Sequence, residues 1–119
     1  MKTEQIARKL VDYCNKGEFE NAQKELFAPD AISIEPEASG GFNKETKGLD
    51  AIIEKGHKFQ SMTEKVYGVK TSDPLISQNS FALTLSMDMA MKGKERAEMK
   101  ELCVYNVKDG KIISEQFFM

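Results

Sequence analysis

The sequence predicts an α+β fold, in which three helices come first and lie against a sheet built by the rest of the chain. Two observations carry that reading. Up to about residue 60, apolar side chains recur at helical spacing in three segments, interrupted by one alternating segment. Beyond residue 63, apolar and polar residues alternate with a period of two, in segments separated by turn residues. The order α-α-β-α followed by long antiparallel strands is an α+β layout. Long strands with one apolar face can curl around the helices into a cone that encloses a cavity.

Thr3 is positioned to cap the first helix, where Ile6, Leu10 and Cys14, with Ala7 and Val11, form one apolar stripe. Gly17 suits its C-terminal cap. The second helix runs from about Glu18 to Phe27, turns Phe19, Ala22, Leu26 and Phe27 inward, and ends before Pro29. Residues 31–36, AISIEP, alternate as a strand, with Ile32 and Ile34 on one face and Ser33 and Glu35 on the other. Glu37 to Lys47 holds Ser39, Gly40, Gly41 and Asn43 and reads as a mobile loop. A third helix spans about Gly48 to Gln60, with Leu49, Ile52, Ile53, Gly56 and Phe59 inward. Strands follow at about 64–72 and 79–91, with turns near Asp73-Pro74 and at Lys92-Gly93-Lys94. In the second of these, Phe81, Leu83, Leu85, Met87, Met89 and Met91 share one face. That row is core against the helices, and near a cone mouth its flexible methionines can become pocket wall. No repeat or linker divides the chain, so residues 1–119 read as one domain.

The last quarter, Arg96 to Met119, reads as a hairpin turning at Lys108-Asp109-Gly110. A two-residue Asp-Gly loop sets Cys103 opposite Gln116. A three-residue loop with Gly110 as a bulge sets Cys103 opposite Glu115 and Glu101 opposite Phe117. One residue of slip moves every side chain to the other face. In either register both faces are apolar, so the hairpin belongs inside a sheet covered on both sides.

Apolar residues at 40% and charged residues at 30% mark a globular protein. The net charge of −2, with both signs scattered, argues against nucleic acid as a partner. No apolar run reaches the length of a membrane span, and MKTEQIARKL reads as helix rather than signal peptide. Two cysteines and one histidine without metal-ligand spacing exclude a Cys/His zinc site and fit a reduced cytoplasmic protein.

Four separated pieces carry a resemblance: GEFENAQKELFAPDAISIEP, KGLDAIIEKG, VYNVKDGKI and the terminal EQFF. In that order they resemble the nuclear-transport-factor-2-like superfamily, and within it the SnoaL-like proteins, relatives of polyketide cyclases and ketosteroid isomerases. The resemblance spans nearly the whole chain. It implies the cystatin-like architecture, a cone-shaped curved mixed sheet of about six strands over three helices, with a pocket at the open end. It also implies a homodimer. That fold hosts isomerases, cyclases, dehydratases, transport factors and binding modules, so it does not select a function.

By the same resemblance, the proton-shuttling aspartate of the isomerases falls at Glu35, which precedes Pro36. The tyrosine and aspartic acid that hold the oxyanion there fall at Leu10 and Cys103. Leucine donates no hydrogen bond and a thiol donates weakly, so the chain departs from the steroid-isomerase pattern. The resemblance turns Cys103, Glu115, Phe117 and Met119 toward the pocket, which selects the three-residue turn.

Read on their own chemistry, Glu101 and Glu115 are candidate acid–base residues on one face of adjacent strands; the resemblance adds Glu35, which can also be a solvated strand end. Two carboxylates near each other in a partly dry cavity raise one pKa, which makes that one a general acid or base near neutral pH. The competing reading sets them at a wet rim or in pairs with lysine. Cys103, Phe117, Met119, Leu83, Met87 and His57 are the candidate ligand contacts. His57 can exchange protons at the pocket mouth, or lie on the surface beside Lys55 and Lys58, opposite the Ile52/Ile53 stripe. Tyr13 and Tyr67 can donate to a ligand or pack at the core edge. Cys103 reads as an inert buried thiol.

Two functions follow as expectations. One is a cofactor-free enzyme moving a proton on a small apolar or aromatic molecule, as in isomerisation, aldol cyclisation or hydration. The other is a non-catalytic dimeric pocket. In both, Leu102, Val104, Ile112 and Phe118 point away from the pocket and form the dimer face.

Overall fold

The computed structural model describes residues 1–38 and 41–119. Its elements run α1 (Thr3–Asn15), α2 (Phe19–Leu26), β1 (Phe27–Ile34), β2 (Glu45–Lys47), α3 (Leu49–Met62), β3 (Thr63–Thr71), β4 (Leu75–Ile76), β5 (Ser80–Met91), β6 (Ala97–Lys108) and β7 (Lys111–Phe118). Among the described residues every helix precedes Thr63, as expected. The strands form one sheet in the order β2-β1-β7-β6-β5-β3, with β4 pairing on β5. The β1–β7 pair is parallel and the others are antiparallel, so the sheet is mixed. Its two edges do not meet. This is the α+β cone predicted from sequence.

The helices bury the stripes their spacing prescribes. Ile6, Ala7, Leu10 and Cys14 of α1, Ala22 and Leu26 of α2, and Ile52 of α3 enter a common core with Phe81, Leu83, Cys103 and Tyr105 of the sheet. The Phe81 and Tyr105 rings stack at 4.8 Å between centroids, across the β5–β6 pair. Helix α1 packs on β3, β4 and β5, and α3 on β1. Gly17 ends α1 with a positive φ of 73°, its N–H donating to the Cys14 carbonyl at 2.9 Å.

Several local expectations are corrected. Thr3 does not cap α1; its hydroxyl donates to the Gln78 carbonyl, and the Gln5 side chain accepts from the Lys2 N–H instead. Strand β1 begins at Phe27 and runs through Pro29, rather than starting at Ala31. Proline cannot donate to a ladder, and the β1–β7 register shifts between Phe27 and Ile32. Within the expected loop, Ser39 and Gly40 lie outside the described residues. Its last part, Glu45–Lys47, is strand β2, paired with Ile32 to Ile34.

The hairpin register differs from both sequence alternatives. The turn is the two-residue one, with Asp109 and Gly110 both at positive φ, 51° and 75°. A bulge then shifts the register between Asn106 and Val107, so that Val107 pairs with Ile112 but Asn106 with Ser114. Cys103 therefore lies opposite Phe117, and Tyr105 opposite Glu115. The bulge lets Ile112 and Glu115, three residues apart, both face the core. Ile112 is 0% exposed, so its expected place on the outer face is wrong. Leu102 and Phe118 do face outward and are exposed.

Candidate functional site

The site is assembled on four strands and one helix. On β1 it is the Ser33 face, continued by Glu35 just past the strand end, that turns inward, and Ser33 is 0% exposed. Strand β7 sets Glu115 directly beside Ser33 in the parallel pair. Strand β6 adds Cys103 opposite Phe117 and, two residues along on the same face, Glu101. Strand β5 places Leu83 against Cys103 and Leu85 against Glu101.

Helix α3 supplies the cation. Lys55 lies three residues beyond Ile52, on the same face of the helix. Its ammonium donates to Ser33 Oγ at 2.7 Å and to Glu35 Oε1 at 3.0 Å. The Ser33 hydroxyl in turn donates to Glu115 Oε2 at 2.7 Å. Lys55 Nζ lies 5.8 Å from the centre of the Phe117 ring. A hydrogen-bonded chain thus runs Glu35–Lys55–Ser33–Glu115, from helix to sheet interior. Lys55 is only 16% exposed in its side chain, against its expected place on the solvent face. Its long stem carries the charge over the apolar stripe.

The electrostatics follow from burial. Glu115 is 5% exposed, and desolvation pushes its carboxyl up to about 7, although the Ser33 hydroxyl and the Lys55 charge pull it down. Glu101 is pushed up to about 7 by burial first, and then by the charges of Glu35 and Glu115. No side-chain hydrogen bond contributes to that displacement. Burial, with Glu101 and Glu115 nearby, raises the Cys103 thiol above its ordinary range, so it stays protonated and a poor nucleophile. Among the described residues no group of three or more His, Cys, Asp and Glu side chains is placed to hold a metal ion.

Of the sequence candidates, Glu35, Glu101, Glu115, Cys103, Leu83 and Phe117 are brought together. Met119 is 78% exposed at the chain end, outside this group. Met87 pairs with Met99 farther along β5. His57 is exposed and bonds Glu20 of α2 and Glu54, which raise its pKa. The Tyr13 hydroxyl donates to Glu25, and Tyr67 is exposed between Lys65 and Arg96. Sequence reasoning missed Ser33 and Lys55 as site residues. Two surface depressions, of about 440 and 250 Å³, lie elsewhere: beside Met1 to Glu4 and the β6–β7 turn, and beside Leu75, Ala82 and Val104.

A family model, the SnoaL-like domain, matches residues 1–119. The chain belongs to the SnoaL-like family. Among solved structures, a candidate SnoaL-like polyketide cyclase from Mesorhizobium loti is 29% identical, with 100% of both chains covered and a TM-score of 0.90. A cystatin-like-fold protein of unknown function from Xanthomonas campestris is 19% identical over 99% of this chain and 90% of its own, with a TM-score of 0.83. A ketosteroid-isomerase-like-fold protein from Catenulispora acidiphila, in complex with trimethylamine, is 17% identical over 98% and 86%, with a TM-score of 0.77. No curated protein matched the sequence. These likenesses account for the fold; the SnoaL-like chain's own carboxylates must carry any statement about chemistry.

Proposed function

We propose that residues 1–119 form a single SnoaL-like domain that binds a small apolar or aromatic molecule and moves a proton on it. Glu35, Glu101 and Glu115 are its acid–base groups, and no cofactor takes part. The observation that carries this reading is Glu115, an ionisable group in the sheet interior, bonded by one hydroxyl and pushed up to about 7. Burying an ionisable side chain opposes folding, so selection for stability alone favours an apolar residue there. A carboxyl that titrates near neutral pH can both accept and give a proton. Glu101 is displaced alike, by burial first and in part by the charges of Glu35 and Glu115. Phe117, Leu83 and Cys103 offer an apolar wall beside them. The trimethylamine held by the Catenulispora protein supports occupation of this fold by small molecules.

One observation favours a second reading, a non-catalytic binding module. Leu10 and Cys103 stand where the resemblance calls for oxyanion donors, and both are buried without a strong donor. The two readings separate in one experiment. Small aromatic and apolar carbonyl compounds are screened by thermal shift, since a ligand at 100 times its Kd stabilises the native state by about 2.7 kcal/mol. Deuterium exchange into each hit is then followed by NMR. Exchange in the native protein, lost in Glu115→Gln, is the outcome expected of an enzyme. Binding without exchange identifies a module. Stabilisation by nucleotides or sugars alone overturns both.

The same reading makes the protein a homodimer through the outer sheet face. Leu102 and Phe118 pair across β6 and β7 there, both exposed, beside Val104. Sedimentation equilibrium at micromolar concentration tests this, with a monomer counting against it. The two free, buried cysteines fit a reducing compartment such as the cytoplasm.

A further inference from the structure

We propose that Lys55 and Ser33 form a relay from helix α3 to the β7 carboxylate, a positioning element that governs the protonation of Glu101 and Glu115. The functional consequence, whether the group can act as a base, rests on the proton-transfer reading above. The relay itself rests on geometry. Lys55 is the cation hydrogen-bonded into this group, through its contacts at 2.7 Å to Ser33 and 3.0 Å to Glu35. Ser33 has no route to solvent and passes that contact on to Glu115 at 2.7 Å. Ser33 thereby accepts from an ammonium and donates to a carboxylate, an arrangement that fixes its hydroxyl proton toward Glu115.

The titratable groups facing Glu115 come from each surrounding element. They are Glu35 just past the end of β1, Lys55 on α3, Glu101 with the neutral Cys103 and Tyr105 on β6, and the neutral Cys14 on α1. Against this set, burial favours the protonated carboxyls, and Lys55 favours the ionised ones on both Glu101 and Glu115. Without Lys55 the group takes up protons and loses its base near neutral pH. The helix therefore tunes the sheet: a movement of α3 that withdraws the ammonium changes the protonation of the site.

The test reads protonation directly and needs no ligand. The side-chain carboxyl carbons of Glu101 and Glu115 are titrated by NMR in the native protein and in Lys55→Met, Lys55→Arg and Ser33→Ala. In Lys55→Met both midpoints rise by about one pH unit or more, as expected when an opposite charge is removed at close range. Lys55→Arg restores them toward the native values. Ser33→Ala raises Glu115 and leaves Glu101 in place. Unmoved midpoints in a folded Lys55→Met protein overturn the proposal, as does a Lys55→Arg protein that behaves like Lys55→Met. Where Lys55→Met fails to fold, an unmoved Glu115 in Ser33→Ala has the same force. A native protein that binds no small molecule overturns the proposed function and leaves this titration to stand or fall on its own.

Discussion

Replacing Glu115 with glutamine removes an ionisable group from the sheet interior while keeping its shape and its acceptor for Ser33. The sign of the effect follows from the raised pKa. A carboxyl displaced from 4.5 to about 7 by folding binds its proton more tightly in the native state. Its stabilising contribution is complete below about pH 4.5 and is lost as pH climbs to about 7 and beyond. At about 1.4 kcal/mol per pH unit, the full displacement corresponds to about 3 kcal/mol. Glu115→Gln has no such proton to lose. Urea unfolding of both proteins across pH 4 to 8.5 should therefore give similar stabilities at the acid end. At the alkaline end the variant should be the more stable by about 2–3 kcal/mol. The difference between the two curves reports Glu115 together with the fall it allows in Glu101, which the Glu115 charge raises, and both act in the same direction. The reasoning is refuted if Glu115→Gln is instead less stable at pH 8 by about 2 kcal/mol or more. The ionised carboxylate would then be a satisfied partner of Ser33 and the Lys55 charge.

Three further outcomes are expected. Ile112→Ala should cost about 2–5 kcal/mol in chemical denaturation, because the bulge seats this side chain in the core; a surface value under about 0.5 kcal/mol would return it to the outer face. Gly110→Val should destabilise the hairpin by more than about 1 kcal/mol, since a β-branched residue resists the positive φ found there. Cys103 and Cys14 should resist thiol reagents in the native state and react after unfolding, because both are buried and burial raises both thiols, Cys14 to about 12.

The acid–base reading shares one physical tension with the fold. The β1 face that enters the interior carries Ala31 and Ser33, with Glu35 just past the strand end, while the larger apolar Ile32 and Ile34 face the other way. A strand chosen for packing alone would reverse them. The conflict between local pattern and global placement is what functional sites show.

Hydrophobic spacing was sufficient for much of this molecule. The stripes Ile6-Leu10-Cys14 and Leu49-Ile52-Ile53 each fit one period, and so does the row Phe81-Leu83-Leu85, so the helices and long strands were legible in the sequence. The family was legible too, and with it the gathering of Glu101, Cys103, Glu115 and Phe117 on one face. The three-residue turn inferred for that face was nevertheless wrong: a two-residue turn plus a bulge gives the same parity by another route. Spacing along one strand does not locate a bulge, because the extra residue, Ile113, is defined only by its lack of a partner on the neighbouring strand. Only the tertiary structure decided the register, the burial of Ile112, the short strand β2 and the chain through Lys55 and Ser33. A lysine one turn from a buried isoleucine reads as solvent-facing from its own segment. Its partners, Ser33 on β1 and Glu35 just after it, lie 22 and 20 residues earlier, and Ser33 meets Glu115 across 82 residues. Contacts that close loops of that length are set by how the layers pack, and no local spacing records them.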